Sequence, residues 1–166
     1  MDVYTVISFV TTFVSFITYT VSFSAPFWYY TDLDTQEIYG GMWQTCVSNY
    51  ITKTCSNNVL GSNTGWRPAY QSFGCLALIC VILNLSLMII YVFKWRHKEW
   101  LRFAIIITSF ATAVMSFICV SIFAAKFRNP DYKTEDLSFC FYLAIIAILT
   151  SMCTGVILVV GKLKGH

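Results

Sequence analysis

Four stretches of this chain, residues 3–26, 68–93, 103–125 and 137–161, contain no Asp, Glu, Lys, Arg or His. A helix needs about 20 apolar residues to cross the hydrocarbon core of a bilayer, and each stretch is that long. Lipid offers no water to a bare peptide group, so a spanning segment must satisfy its own backbone, which predicts four α-helices. The four stretches take most of the 166 residues, and only 11% of the chain is charged, against about 25% in soluble domains. The expectation is one membrane domain over residues 1–166. Its spans are residues 3–26, 68–93, 103–125 and 137–161, joined by loops at 27–67, 94–102 and 126–136, with a tail at 162–166. The first span has no basic residues ahead of it and is longer than the roughly 7–15 residues of a signal-peptide core, so it reads as a retained span.

Charge asymmetry orients the bundle. The loop at 94–102 carries Lys94, Arg96, Lys98 and Arg102 against Glu99, and the tail carries Lys162 and Lys164 without an acid. The loop at 27–67 sets Asp32, Asp34 and Glu37 against Lys53 and Arg67, and the loop at 126–136 sets three bases against three acids. The positive-inside rule puts both termini and the 94–102 loop in the cytoplasm and the other two loops outside. The plasma membrane is the expected location.

Within the spans, Ser, Thr, Ala and Gly recur at steps of three and four. In the first span these are Ser8, Thr12, Ser15, Thr18 and Ser22, and in the fourth Ala144, Ala147, Ser151, Thr154 and Gly155. Small residues let helix backbones approach closely in lipid, and hydroxyls bond across the contact. The plain reading is packing inside the bundle. The sharper reading, a polar pore between helices, has no charged residue to support it; Ala144, Ala147, Ser151 and Gly155 are the candidate helix-packing face, which in an auxiliary subunit would meet a foreign helix. Asn84 is expected to pack or to bond between helices. Although Asn84-Leu85-Ser86 is a glycosylation sequon, its place inside a span argues against a glycan.

The 27–67 loop is long and aromatic. Residues 36–39 and 49–54 have strand-like content, and Gly40-Gly41, Ser56-Asn57-Asn58 and Gly61-Ser62-Asn63 supply turns. A small extracellular antiparallel sheet is expected. Cys46 and Cys55 are the two cysteines of that loop, and in an oxidising compartment a disulfide is the default. Two free thiols, or a pair held for a partner, are the alternatives. Cys75, Cys80, Cys119, Cys140 and Cys153 fall in spans as apolar fillers.

The order of these residues resembles a known family. Trp28 follows the first span, then come Gly41-Met42-Trp43, Cys46, Cys55 and Arg67. This is similar to the W…G-L-W…C…C…R signature of the claudin, peripheral myelin protein and epithelial membrane protein superfamily. Phe127-Arg128-Asn129-Pro130 is similar to the F-x-N-P of claudins. The resemblance covers essentially the whole chain. It implies a left-handed four-helix bundle capped by an extracellular sheet, anchored at the positions matching Trp28, Gly41, Met42, Trp43 and Arg67 and by the cystine. Met42 stands where the usual residue is Leu. The chain ends Lys162-Leu163-Lys164-Gly165-His166 without the terminal Tyr-Val of junctional claudins, which argues against a PDZ scaffold partner.

No constellation of catalytic groups appears, and His97 and His166 lie at separate cytoplasmic positions. No catalysis, cofactor, metal, nucleic acid or small-molecule substrate is expected. Spans without ionisable groups also lack the relay of a pump or exchanger. The expected partners are lipids and other membrane proteins. One reading is cell–cell contact, membrane apposition or barrier formation, using Tyr39, Tyr50, Phe127, Asn129 and Pro130 and the exposed face of Tyr29 and Tyr30. The other is an auxiliary subunit of an ion channel or receptor. A third, weaker, is a pore selected by Asp32, Asp34 and Glu37.

Overall fold

The computed structural model describes residues 3–33, 36–49, 51–57, 65–94, 98–127 and 136–164. Helix α1 (Val3–Ser24) leads into four strands, β1 (Tyr29–Leu33), β2 (Gln36–Gly40), β3 (Gln44–Asn49) and β4 (Lys53–Asn57). Then follow α2 (Arg67–Phe93), α3 (Glu99–Phe127), the two-residue β5 (Asp136–Leu137) and α4 (Phe139–Leu163). All four helices are long and apolar enough to cross a membrane.

Helix α1 is inside out relative to a helix of a soluble bundle. On α1 the buried residues are Thr5, Ser8, Thr12, Ser15, Tyr19 and Ser22, while Val6, Val10, Phe13, Ile17 and Val21 are exposed. Burying hydroxyls and exposing branched apolar side chains would be ruinous in water. In lipid it is the stable arrangement, because tails solvate the apolar face as well as another helix would. Hydroxyls on the exposed faces are satisfied within their own helix. Thr18 donates to the Val14 carbonyl at 2.8 Å, Ser72 to Pro68 at 2.8 Å and Ser86 to Ile82 at 2.8 Å.

Several inward-facing hydroxyls join helices, while others, such as Thr12 to the Ser8 carbonyl, bond within their own helix. Between α1 and α4, Thr11 meets Thr154 at 2.7 Å, Ser15 meets Ser151 at 2.7 Å, and Ser22 donates to the Cys140 carbonyl at 2.7 Å. As α1 numbers rise, α4 numbers fall, so the two helices run antiparallel. The Tyr19 hydroxyl donates to the Gly74 carbonyl on α2 at 2.9 Å. Asn84 of α2 is buried, and its Oδ1 accepts from Thr108 at 3.0 Å and Ser109 at 3.2 Å of α3. Gly155 of α4 lies against Phe110 of α3, where an added Cβ would sit 3.0 Å from the ring.

The sheet is antiparallel throughout, in the order β4-β3-β2-β1-β5. One expectation is corrected. The single strand expected over residues 49–54 is divided between the end of β3 at Asn49 and the start of β4 at Lys53, and Asn49 N–H donates to the Thr52 carbonyl at 2.9 Å between them. Cys46 and Cys55 face each other in register, which centres the turn midway between them. Strand β1 was not anticipated, although Tyr29, Tyr30 and Thr31 are all strand formers. Helix α3 also starts at Glu99, ahead of its charge-free stretch. Its 29 residues rise about 44 Å, more than a hydrocarbon core of about 30 Å, so its ends project.

The small-residue stripe of α4 faces inward. Ala144, Ala147, Ser151 and Gly155 are all buried, and Ser15 also donates to the Ala147 carbonyl at 3.2 Å. The face proposed for a foreign helix is therefore taken by α1 and α3 of the same chain. Ala147→Leu and Ser151→Leu should each destabilise the monomer by about 1–3 kcal/mol through overpacking. Thermal unfolding of the purified monomer in detergent reads this; wild-type melting in both variants would contradict the packing.

Candidate interaction site

Strands this short have almost no core of their own, so the sheet takes its shape from the bundle end beneath it. Trp28, between α1 and β1, is 2% exposed. Its indole N–H donates to the Ser22 carbonyl at 2.7 Å, and its ring meets Phe123 at 5.0 Å and Phe141 at 6.3 Å. Its backbone N–H donates to the Gly40 carbonyl at 2.8 Å, and its carbonyl accepts from Ser138 at 3.0 Å. One residue thus holds α1, β2, α3 and the entry to α4 together.

The second attachment is the turn between β2 and β3. Gly41 approaches the end of α1 so closely that a Cβ would lie 2.6 Å from Pro26 Cα and 2.7 Å from the Ala25 carbonyl oxygen. Met42, 1% exposed, presses into α2 at Gly74, where a Cβ would meet its Cε at 2.7 Å. The Met42 carbonyl accepts from Gln71 Nε2 at 2.8 Å and from the Tyr70 hydroxyl at 3.2 Å. Trp43 is partly buried and meets Phe23 edge-on at 5.2 Å. Arg67 lies over the Trp66 ring at 5.8 Å, and Trp66 stacks on Tyr70 at 5.5 Å. Residues expected to anchor the sheet therefore meet one aromatic floor. Tyr70, Gln71, Gly74 and Phe123 complete the seat and were missed, because nothing in a span's sequence says which face meets a loop.

The disulfide is present between Cys46 and Cys55, with Cα atoms 4.1 Å apart. Cys46 is buried and Cys55 exposed, so the bond ties the β4 edge back to the buried side of the sheet.

The expected contact residues part company. Tyr39 is a correction: it is 7% exposed, stacks on Phe27 at 5.1 Å and has Lys53 Nζ 5.2 Å above its ring. Burial in β2 grows along the strand, from the exposed Gln36 and Glu37 at its outer end to the buried Tyr39 and Gly40 beside the helix ends. Tyr29 also turns inward, its ring against Gly40 and its hydroxyl 3.3 Å from Thr45. Tyr30 lies beside acids. Its phenol is pushed above the usual range, first by loss of water and then by the Glu37 and Asp32 carboxylates. Tyr50, Asn129 and Pro130, with Asp34, lie outside the described residues, as does the Phe127 side chain. What the sheet does present is its free edge. Every residue of β4 is exposed, and Ile51 in the β3–β4 turn is 93% exposed. Among the described residues, no three His, Cys, Asp or Glu side chains gather as a metal ion would require.

One outcome tests the seat and another the staple. Gly41→Ala should lower stability by about 1–3 kcal/mol, since it forces a methyl group into backbone, whereas Gly65→Ala, with nothing within 4 Å, should not. Equal melting of the two variants would contradict the seat. Cys46→Ser should cost about 2–5 kcal/mol and be retained during secretion; normal surface delivery of that variant would contradict a structural staple.

No individual curated protein matches the chain. The model of the PMP-22/EMP/MP20/Claudin family matches residues 1–158, which takes in the first three helices, the whole sheet and most of α4. That family is generally non-enzymatic. This chain is a multi-pass membrane protein, and it belongs to the PMP-22/EMP/MP20/Claudin family.

Proposed function

We propose that this protein acts through protein–protein contact made by the β3–β4 hairpin, in cell–cell contact, membrane apposition or barrier formation. The observation that carries the reading is the fully exposed β4 edge beside Ile51 at 93% exposure. A large apolar side chain at the tip of a disulfide-stapled hairpin suits a contact anchor. The staple lowers the ordering cost of binding, since a pre-formed loop loses less freedom. The orientation that serves this role places the sheet outside the plasma membrane and both termini inside, in keeping with the basic residues at the opposite end.

The reading also implies that lateral partners, if a channel or receptor is engaged, meet outward helix faces and the hairpin rather than the stripe of α4. That auxiliary role is the competing outcome of one experiment. Ile51→Asp with Lys53→Glu should cut aggregation of transfected, otherwise non-adherent cells by about fivefold or more, the scale of a hot-spot loss above about 1 kcal/mol, at unchanged surface expression. Unchanged aggregation would sink the contact reading. Loss of a co-purifying channel subunit instead would favour the auxiliary one.

A further inference from the structure

The end of the bundle away from the sheet carries a charge pattern that packing does not require. Among the described side chains there, Lys94, Lys98, Arg102, Lys162 and Lys164 stand against one carboxylate, Glu99. At the sheet end, Asp32 and Glu37 balance Lys53 and Arg67.

Three of these cations rest on aromatic rings of the neighbouring helix. Arg102 of α3 lies 5.9 Å from the Tyr91 ring of α2 and donates to its hydroxyl from Nε at 3.1 Å and Nη2 at 2.9 Å. Lys162 of α4 lies 5.9 Å from the Phe103 ring of α3 and 3.9 Å from Glu99. Lys164 of α4 lies 5.7 Å from the Tyr4 ring of α1 and donates to its hydroxyl at 3.1 Å. The pairs thus join α2 to α3, α3 to α4 and α4 to α1. Rings that hold ammonium and guanidinium groups in place reduce the freedom those long chains would lose on meeting an anion.

A second observation gives the kind of anion. Large apolar side chains are exposed beside the cations: Phe93 at 80%, Trp100 at 59%, Phe103 at 56% and Leu163 at 81%. A soluble polyphosphate has no use for them. A phospholipid does, because its headgroup and its upper acyl chain lie side by side at this depth, where aromatic residues also concentrate.

We propose that this end of the bundle binds anionic phospholipid, with Lys162, Lys164, Lys98 and Arg102 around the headgroup and Trp100 and Phe103 against the chain. The proposal does not depend on what the sheet contacts. The test is native mass spectrometry of the full chain released from nanodiscs of phosphatidylcholine and phosphatidylserine. Phosphatidylserine should be retained beyond its share of the bilayer. At about fivefold per basic residue, Lys162→Gln with Lys164→Gln should lower that retention roughly thirtyfold. Glu99→Gln should raise it, and Lys53→Gln at the sheet end should leave it unchanged. If the double variant melts lower in neutral detergent, Lys98→Gln carries the comparison, with about a fivefold loss expected. Retention in proportion to bilayer composition, indifference to the lysine variants, or an equal loss with Lys53→Gln would each overturn the proposal.

Discussion

The structure depends on the seating of Trp28 and the Gly41-Met42 turn on the bundle. A small sheet of short strands cannot bury enough apolar surface to hold itself. Trp28 gives it a foundation by serving as helix exit, strand partner and core residue at once. Its ring takes part in the cluster of Met42, Tyr70, Phe123, Phe141 and Ala144, which draws on α2, α3 and α4 as well as the loop. At Gly41 it is backbone that crowds the Cβ site, whereas at Gly74 it is the end of the Met42 side chain. The cystine has a different duty. It joins β3 to β4 at the edge remote from β1, so it shapes the exposed hairpin without fastening the sheet to the helices.

The bundle beneath solves a different problem. Helices in lipid gain little from bringing apolar faces together. Apolar clusters such as Met88, Leu101, Ile105 and Leu158 fill part of the interior, but along the contact of α1 with α4 the inward faces carry Ser8, Thr12, Ser15, Ala147, Ser151 and Thr154, all at 2% exposure or less. Close approach and hydroxyl bonds take the place of hydrophobic burial, each bond being worth about 0.6 kcal/mol on average. Many small terms of this kind leave the large apolar side chains of α1 free to face the lipid. On the proposed reading, contact across the membrane gap falls to the surfaces beyond the lipid, and among the described residues the β3–β4 hairpin is exposed there, with every residue of β4 exposed and Ile51 at 93%.

The sequence revealed the four helices because absence of charge over a span's length is a signal that survives any tertiary arrangement. It revealed the cystine for a similar reason, as two cysteines alone in one loop. Local strand content was a poorer guide. Residues 49–54 look like a strand by composition, yet the pairing of Cys46 with Cys55 forces the chain to reverse there; that spacing was in the sequence and outweighed propensity. The α4 stripe at Ala147 and Ser151 could be seen but not aimed, since the same spacing serves an internal contact and an external one. Tyr39 was misjudged because a strand residue faces one side or the other by register alone. The floor formed by Tyr70, Gln71 and Gly74 had no local mark, because it exists only once a loop has returned to the bundle.

Sheet and bundle form one cooperative unit through the Trp28 and Met42 seat. Hydrogen exchange of the protein in nanodiscs, compared between wild type and Met42→Ala, tests it most directly. Loss of the Met42 side chain from Gly74 should speed exchange together in β1, β2 and β3 and in the adjoining turns of α1 and α2. Faster exchange confined to the sheet, with those helix ends unchanged, would contradict it.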